Sequence, residues 1–373
     1  MFNGQVPPPE IVKIQLQSSA RGIALIIVML VILVLAALAG AFAFSMKVES
    51  TLARNSDFDS EMEWMGRSGV EYAKWVLAQQ ANCPNEPFEA LSQAWAGGTG
   101  GACASNGPLA GIERQIQLGN GSITWTITDQ ERKFNINLAD YAVLQQALTI
   151  MGVDASLTPG ISDAVLDWVD RDEDNHLSGA ESEYYLSLNP PYVSKNGPMD
   201  DVSELLLLKG VFENPEIYWG SASTNHPVSA FQARTSDRPF ADPNQPSYPV
   251  GLVDIFTTLS SGKININTAT LTTLQMIPGI NDSMAAGILQ RRSGLDGVEG
   301  TEDDFPFQNI RELRDVPGME GDVTQLARYC DVRSYTFDVQ VQVEVNGVTR
   351  SYFAVVRREG RPGDFTIIKF YWK

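Results

Sequence analysis

The chain has 373 residues, 43% of them hydrophobic and 9% aromatic, which excludes a globally disordered protein and predicts two or three domains. Asp plus Glu number 45 against 27 Lys plus Arg, a formal charge of -18, so nucleic acid and anionic membrane surfaces are poor partners for its bulk. Three cysteines and two histidines, His176 and His226, exclude a disulfide scaffold and a histidine-rich zinc site.

Residues 1–20 are polar and carry Pro7-Pro8-Pro9, and Arg21-Gly22 follows to close a leader of residues 1–22. Ile23 to Phe44 then runs without a charge. As a helix this stretch would be about 33 Å long, enough to cross a bilayer core. Lys13 and Arg21 precede it while Lys47 and Glu49 follow, so the short tail is expected in the cytoplasm and the rest outside it. Three readings stay open: an uncleaved signal anchor, a secretory signal cut near Ala41-Phe42-Ala43, or a prepilin leader. The run is longer than the ~7–15 residues of a usual signal core. Arg21-Gly22 followed by Ile23-Ala24-Leu25-Ile26 resembles a type IV prepilin signal, which implies cleavage between Gly22 and Ile23.

Apolar residues continue at helical spacing through Val48, Leu52, Met62, Met65, Val70, Ala73, Val76 and Leu77, with no proline before Pro84. One helix is therefore expected, with a membrane half at 23–44 and an amphipathic half at 45–80. A first head segment (81–134) opens with Cys83, a glycine-rich loop at 97–101 and Cys103. A disulfide between these two cysteines suits a compartment outside the cytoplasm and leaves Cys330 as a small buried hydrophobe. Ser122–Thr128 alternates as a strand. At the other end (331–373), Tyr335–Val345, the Asn346-Gly347 turn, Thr349–Arg357 and Phe365–Trp372 read as successive strands. Between lie a mostly helical insertion (135–245) and a continuation (246–330), with Gly220–Pro249 as a Ser-, Asn- and Pro-rich connector. The fold class is α+β.

The sharpest chemical signal lies in the insertion. Asp170, Asp172 and Asp174 fall at positions 1, 3 and 5 of a twelve-residue calcium loop, with Ser178 at 9 and Glu181 at 12. His176 supplies the backbone carbonyl of position 7, and Asn175 stands where glycine is usual, as a residue tolerant of positive φ. Hard oxygen donors at alternate positions wrap Ca2+ as the backbone turns around it, and without an ion they repel one another. Asp200, Asp201 and Glu204, or Asp163 and Asp167, form weaker acidic groups better read as helix caps or first-turn carboxylates.

Two segments echo each other: Lys133-Phe134-Asn135-Ile136-Asn137-Leu138-Ala139 and Lys263-Ile264-Asn265-Ile266-Asn267-Thr268-Ala269. Asn137 and Asn267 are candidates to cap the helices that follow. Pro278-Gly279 and Pro317-Gly318 then punctuate helical pairs that resemble helix-hairpin-helix modules. Such hairpins can hold phosphates, with Lys263, Arg291 and Arg292 to hand, so a DNA-binding membrane protein is one alternative. No nucleophile elbow or zinc-protease helix is visible, and no catalytic residue or enzymatic activity is expected.

Taken in order, these motifs resemble the minor pseudopilin K family of bacterial type II secretion over nearly the full length. They are Arg21-Gly22-Ile23, Thr128-Asp129, Asn135-Ile136-Asn137, Leu166-Asp167-Trp168-Val169-Asp170-x-Asp172, Gly179-Ala180-Glu181-x-x-Tyr184-Tyr185, Asn196-Gly197-Pro198, Val202-Ser203-Glu204-Leu205-Leu206 and Asn265-Ile266-Asn267-Thr268-Ala269. The resemblance implies a pilin-like long helix and β-sheet head with a large α-helical insertion that binds calcium. It implies a single-pass inner-membrane protein with a periplasmic head, at the tip of a pseudopilus whose assembly it initiates. The implied partners are other minor pseudopilins, the major pseudopilin, the prepilin peptidase and the inner-membrane assembly platform. Most pilin-like subunits carry a glutamate five residues into the mature chain, where it meets a neighbour's terminal amine. Ile27 stands there instead, as the resemblance to family K implies, and marks a tip position. A type IV pilus-associated minor pilin or adhesion subunit is the other reading.

Overall fold

The computed structural model describes residues 20–220, 248–319, 323–361 and 363–372. Residues 1–19 of the expected leader and most of the 220–249 connector lie outside them. A helix, α1 (Ala20–Ala81), begins three residues ahead of Ile23 and ends one beyond the expected Gln80. The chain divides into two compact units, Met1–Glu61 and Met62–Lys373. In the first, Ala24–Ser50 is apolar and long enough to cross a membrane, and none of it is buried.

In the second unit the helix becomes amphipathic. Met62, Met65, Val70, Ala73, Val76 and Leu77, with Gly66 and Gly69 between them, are buried along one face of the helix, the face toward a sheet. Gly66 and Gly69 let the helix lie close to it: a Cβ at either would sit 2.5 Å from the Tyr352 ring or from Val341. Beyond the helix, Cys83 and Cys103 are joined by a disulfide and Cys330 is buried and free.

After α2 (Ala102–Asn106), strands β1 (Gln115–Leu118) and β2 (Gly121–Asp129) start the sheet. The chain then enters the insertion: β3 (Phe134–Asn135), α3 (Tyr141–Met151), α4 (Thr158–Val169), α5 (Ser182–Leu186), α6 (Glu216–Trp219), α7 (Leu252–Ile255), β4 (Phe256–Thr257), β5 (Ile264–Asn265), α8 (Leu271–Gln275), α9 (Asp282–Arg292) and β6 (Cys330–Asp331). It returns as β7 (Thr336–Val345), β8 (Val348–Arg358) and β9 (Phe365–Trp372). The sheet order is β1-β2-β7-β8-β9, antiparallel throughout, so strands more than 200 residues apart in sequence pair from Gly121↔Val345 to Asp129↔Phe337. Ile123, Trp125 and Ile127 of β2 and Val339, Val341 and Val343 of β7 are buried at every second position. Asn346 and Gly347 take φ of 51° and 79°, the two left-handed residues a tight hairpin needs.

Inside the insertion the echoing segments fold alike. β3 pairs in parallel with β4, and β5 with β6. In each segment the first asparagine (Asn135, Asn265) accepts from the backbone N–H two residues on. Neither Asn137 nor Asn267 caps the next helix; Asp140 and Thr270 do that for α3 and α8. Each instead clamps a distant backbone through both ends of its amide: Asn137 holds Met199 at 2.7 and 3.0 Å, and Asn267 holds Phe307 at 2.8 and 2.9 Å. Two bonds to one residue outweigh the single bond a cap would make.

Candidate functional site

Helix α4 delivers the acidic loop. Ile161, Ala164, Val165 and Trp168 pack into the insertion core, where Trp168 stacks edge-on against Tyr185 at 5.3 Å. Asp163 and Asp167, one turn apart, turn their buried carboxylates toward the loop. Asp163 Oδ2 accepts from the Ser178 N–H at 2.9 Å. Asp167 accepts from the N–H groups of His176 at 3.0 Å and Ala180 at 2.7 Å, and its Oδ1 also meets His176 Nδ1. Gly179 passes so close to Asp167 that any side chain there would overlap its carboxylate. The helix thus wraps the loop around its own end.

Asp170 closes α4 with a buried Oδ1 that has no hydrogen-bond partner. Glu181, 2% exposed, accepts from Ser194 Oγ at 2.7 Å on Oε2 and leaves Oε1 without a partner. Burial raises the pKa of Asp170, reinforced by the charges of Asp172 and Asp167. Burial raises that of Glu181 as well; the Ser194 bond opposes it while Asp167, Asp170 and Glu173 add to it. Asp167, Asp170 and His176 offer donor atoms that lie within 4.8 Å of one another. Two buried, donor-less carboxylate oxygens among mutually repelling acids are what a hard cation relieves, so the residues fit Ca2+.

The loop departs from the expected twelve-residue geometry. Among the described residues, positive φ outside glycine occurs at Asn85, Asn196 and Asn346, so Asn175 does not make the left-handed turn. Asn196, at φ 48°, braces the loop instead: its Nδ2 donates to the Asp172 carbonyl at 2.8 Å and to Glu173 Oε1 at 2.9 Å. The His176 carbonyl accepts from Gly179 N–H at 3.1 Å, and its ring, whose pKa the Asp167 contact raises, faces the carboxylates. The carbonyl of Ser178 accepts from Lys209 Nζ at 3.1 Å. Asp174 is exposed, its N–H on Asp172 Oδ1 at 3.0 Å. The structure therefore gathers Asp167, which the loop pattern leaves out, with Asp170 and His176, while the charges of Asp167 and Asp170 reach the buried Glu181 carboxyl. The i, i+4 spacing of Asp163 and Asp167 puts both on one face of α4, but only the fold-back of residues 176–180 makes that face the one that meets the loop.

The second acidic group is structural. Asp201 and Glu204 form a capping box on the 3-10 helix Val202–Leu207, and Lys195 bridges Asp200 and Glu204 at 2.7 and 2.8 Å. The arginines of the DNA-binding alternative are also engaged. Arg291 bonds the Glu312 carbonyl and carboxylate and stacks on Phe307, while buried Arg292 bonds the Ile266 and Ala269 carbonyls and Glu299.

The sequence family described as type II secretion system (T2SS), protein K, matches residues 126–218, and the helix-hairpin-helix motif matches residues 260–329. Type II secretion system protein K of Klebsiella pneumoniae is 32% identical over 111 residues, 26% of this chain and 34% of that protein. Its counterpart in Pseudomonas aeruginosa is 27% identical over 140 residues, 36% and 39% of the respective lengths. This chain is similar to type II secretion system protein K. The match spans about a third of these relatives' own length. The acidic loop and the Asn137 clamp lie inside the protein K region, and Asn267 with both Pro-Gly turns lies in the helix-hairpin-helix region. A chain in the crystal structure of the GspK-GspI-GspJ complex from the enterotoxigenic Escherichia coli type 2 secretion system shares the fold, with a TM-score of 0.60 at 19% identity, over 86% of this chain and 99% of that one. The expected α+β class, a pilin-like long helix and sheet head with a helical insertion, is thereby established.

Proposed function

We propose that this chain is a non-enzymatic minor pseudopilin of type II secretion, cleaved between Gly22 and Ile23 and anchored in the inner membrane with a periplasmic head. The observation that carries the reading is one continuous helix, α1, with an exposed charge-free half and a head-packed half, leading to a sheet interrupted by a protein K insertion. The apolar half suits a membrane before assembly and a helical bundle of subunits after it. Minor pseudopilins of the kind crystallised with GspK are the expected partners. The major pseudopilin, the prepilin peptidase and the inner-membrane assembly platform complete the set. With Ile27 apolar and exposed on α1, the chain offers no carboxylate to the amine of a subunit above it, which supports a tip position where assembly starts.

Ca2+ is proposed in the α4 loop, held by Asp170 and Glu181 with Asp167 and Asp172 beside them. When bound, the ion supplies positive charge that joins α4 to α5 across the loop. Co-expression with the minor pseudopilins of the same system tests the assembly reading. A stable complex recovered from detergent, together with loss of export when this chain is deleted, is expected. A chain that stays single among those partners, with export intact, would contradict it.

A further inference from the structure

β2 ends on Asp129, and Glu131 stands two residues later where the chain crosses from sheet to insertion. Both side chains are buried, 2% and 0% exposed. Asp129 Oδ2 accepts from Ser334 Oγ at 2.6 Å, Thr268 Oγ1 at 2.5 Å and Asn265 Nδ2 at 3.3 Å, while Oδ1 accepts from Glu131 N–H at 2.8 Å. Glu131 accepts from Ser261 N–H at 3.1 Å on one oxygen and Thr336 N–H at 3.0 Å on the other. Its own carbonyl accepts from Asn265 N–H at 2.8 Å, and Gln130 N–H donates to the Thr336 carbonyl at 2.9 Å. Three consecutive residues thus sew the insertion (261–268) to residues 334–336, where the chain enters β7.

The donors at these two carboxyls are hydroxyls, one side-chain amide and backbone N–H groups. The charged neighbours are otherwise occupied. Glu89, whose pKa burial raises, pairs with Arg358 of β8 and, at 3.8 Å, with Arg333, and it also accepts from the Ser334 N–H at 2.8 Å; Lys133 donates to the Val253 carbonyl; Gln130 donates to Asp338. Two adjacent carboxylates in such a place repel strongly unless they share a proton.

We propose that Asp129 and Glu131 form a proton-operated latch: with one proton between them they fasten the insertion to the sheet, and loss of that proton loosens the seam. Burial, then the Asp129 charge, pushes Glu131 up to about 8. The folded chain therefore holds a proton that the unfolded chain releases near the ordinary value of 4.5. The seam is tightest at or below that value, weakens as pH rises from there toward 8, and levels off above it. Asp338, raised to about 6 by burial, titrates mostly below this window, and the Glu131→Gln variant separates its share from that of Glu131.

Hydrogen exchange of the full chain in detergent, corrected for intrinsic rates, tests the latch. Protection of 259–268 and 334–338 should fall about tenfold between pH 7 and 9. Protection of Tyr141–Met151 in α3 should not change. Glu131→Gln should abolish the fall. Because glutamine keeps only one acceptor oxygen, Asp129→Asn is the second variant: the Ser334 and Thr268 hydroxyls can turn to suit its amide, and the fall should shrink below about threefold. A wild-type seam indifferent to pH, or an undiminished tenfold fall in both variants, would overturn the proposal. The latch does not depend on the pseudopilin assignment.

Discussion

At Asp170 and Glu181, the two donor-less oxygens set the chemistry of the loop. Removing either charge takes away a strong donor for a hard cation and leaves the rest of the loop in place. Asp170→Asn and Glu181→Gln should each lower Ca2+ affinity at least about tenfold by calorimetry on the full chain, whereas Asp174→Asn, at an exposed position, should change it less. Calcium at 100 times its Kd should stabilise the chain by about 2.7 kcal/mol, seen as a rise in Tm. Gly179→Ala forces a methyl group onto the Asp167 carboxylate and should cost about 1–3 kcal/mol in thermal unfolding; an unchanged Tm would mean that the loop does not wrap α4 as described. The loop acids are legible from alternate spacing, but the contribution of Asp167 is not. It sits on a helix before the pattern begins, and it reaches the loop only because residues 176–180 fold back over it. The turn expected at Asn175 fails for a related reason: Asn196, distant in sequence, supplies the brace.

Among elements, the strands were the most readable. Period-two alternation and Asn346-Gly347 place β7 and β8 to within a residue or two of their observed ends, because both features are local. The two-residue parallel pairs β3–β4 and β5–β6 carry no such pattern, since each exists only through its distant partner. The asparagine echo was visible, yet its use was not, because the clamped residues Met199 and Phe307 lie 62 and 40 positions away. Asn137→Ala and Asn267→Ala each delete two hydrogen bonds and strand a backbone N–H and C=O. Each should cost about 1–3 kcal/mol in denaturant unfolding. A loss near zero for both would mean that water replaces the clamps. The Gly66 and Gly69 positions set how close α1 lies to the sheet, so Gly69→Leu should destabilise the head by about 1–3 kcal/mol through overlap with Val341.

At the scale of the molecule, the sheet is built from strands on either side of a helical insertion in the sequence, and the disulfide ties the end of α1 to the first part of the head. Cys83→Ser with Cys103→Ser frees a segment of twenty residues and should cost about 2–4 kcal/mol, read as a lower denaturant midpoint under oxidising conditions. The acidic balance of the whole fits the same account: Arg291 and Arg292 are spent within the fold, and a chain of charge -18 repels polyanions.

If α1 is the pseudopilin spine proposed above, the mass of the mature N-terminus reports it. Expressed with a prepilin peptidase, the chain should begin at Ile23 and carry an N-methyl group. A chain that begins near Phe44, or that keeps residues 1–22, would mean that α1 is not processed as a pseudopilin spine.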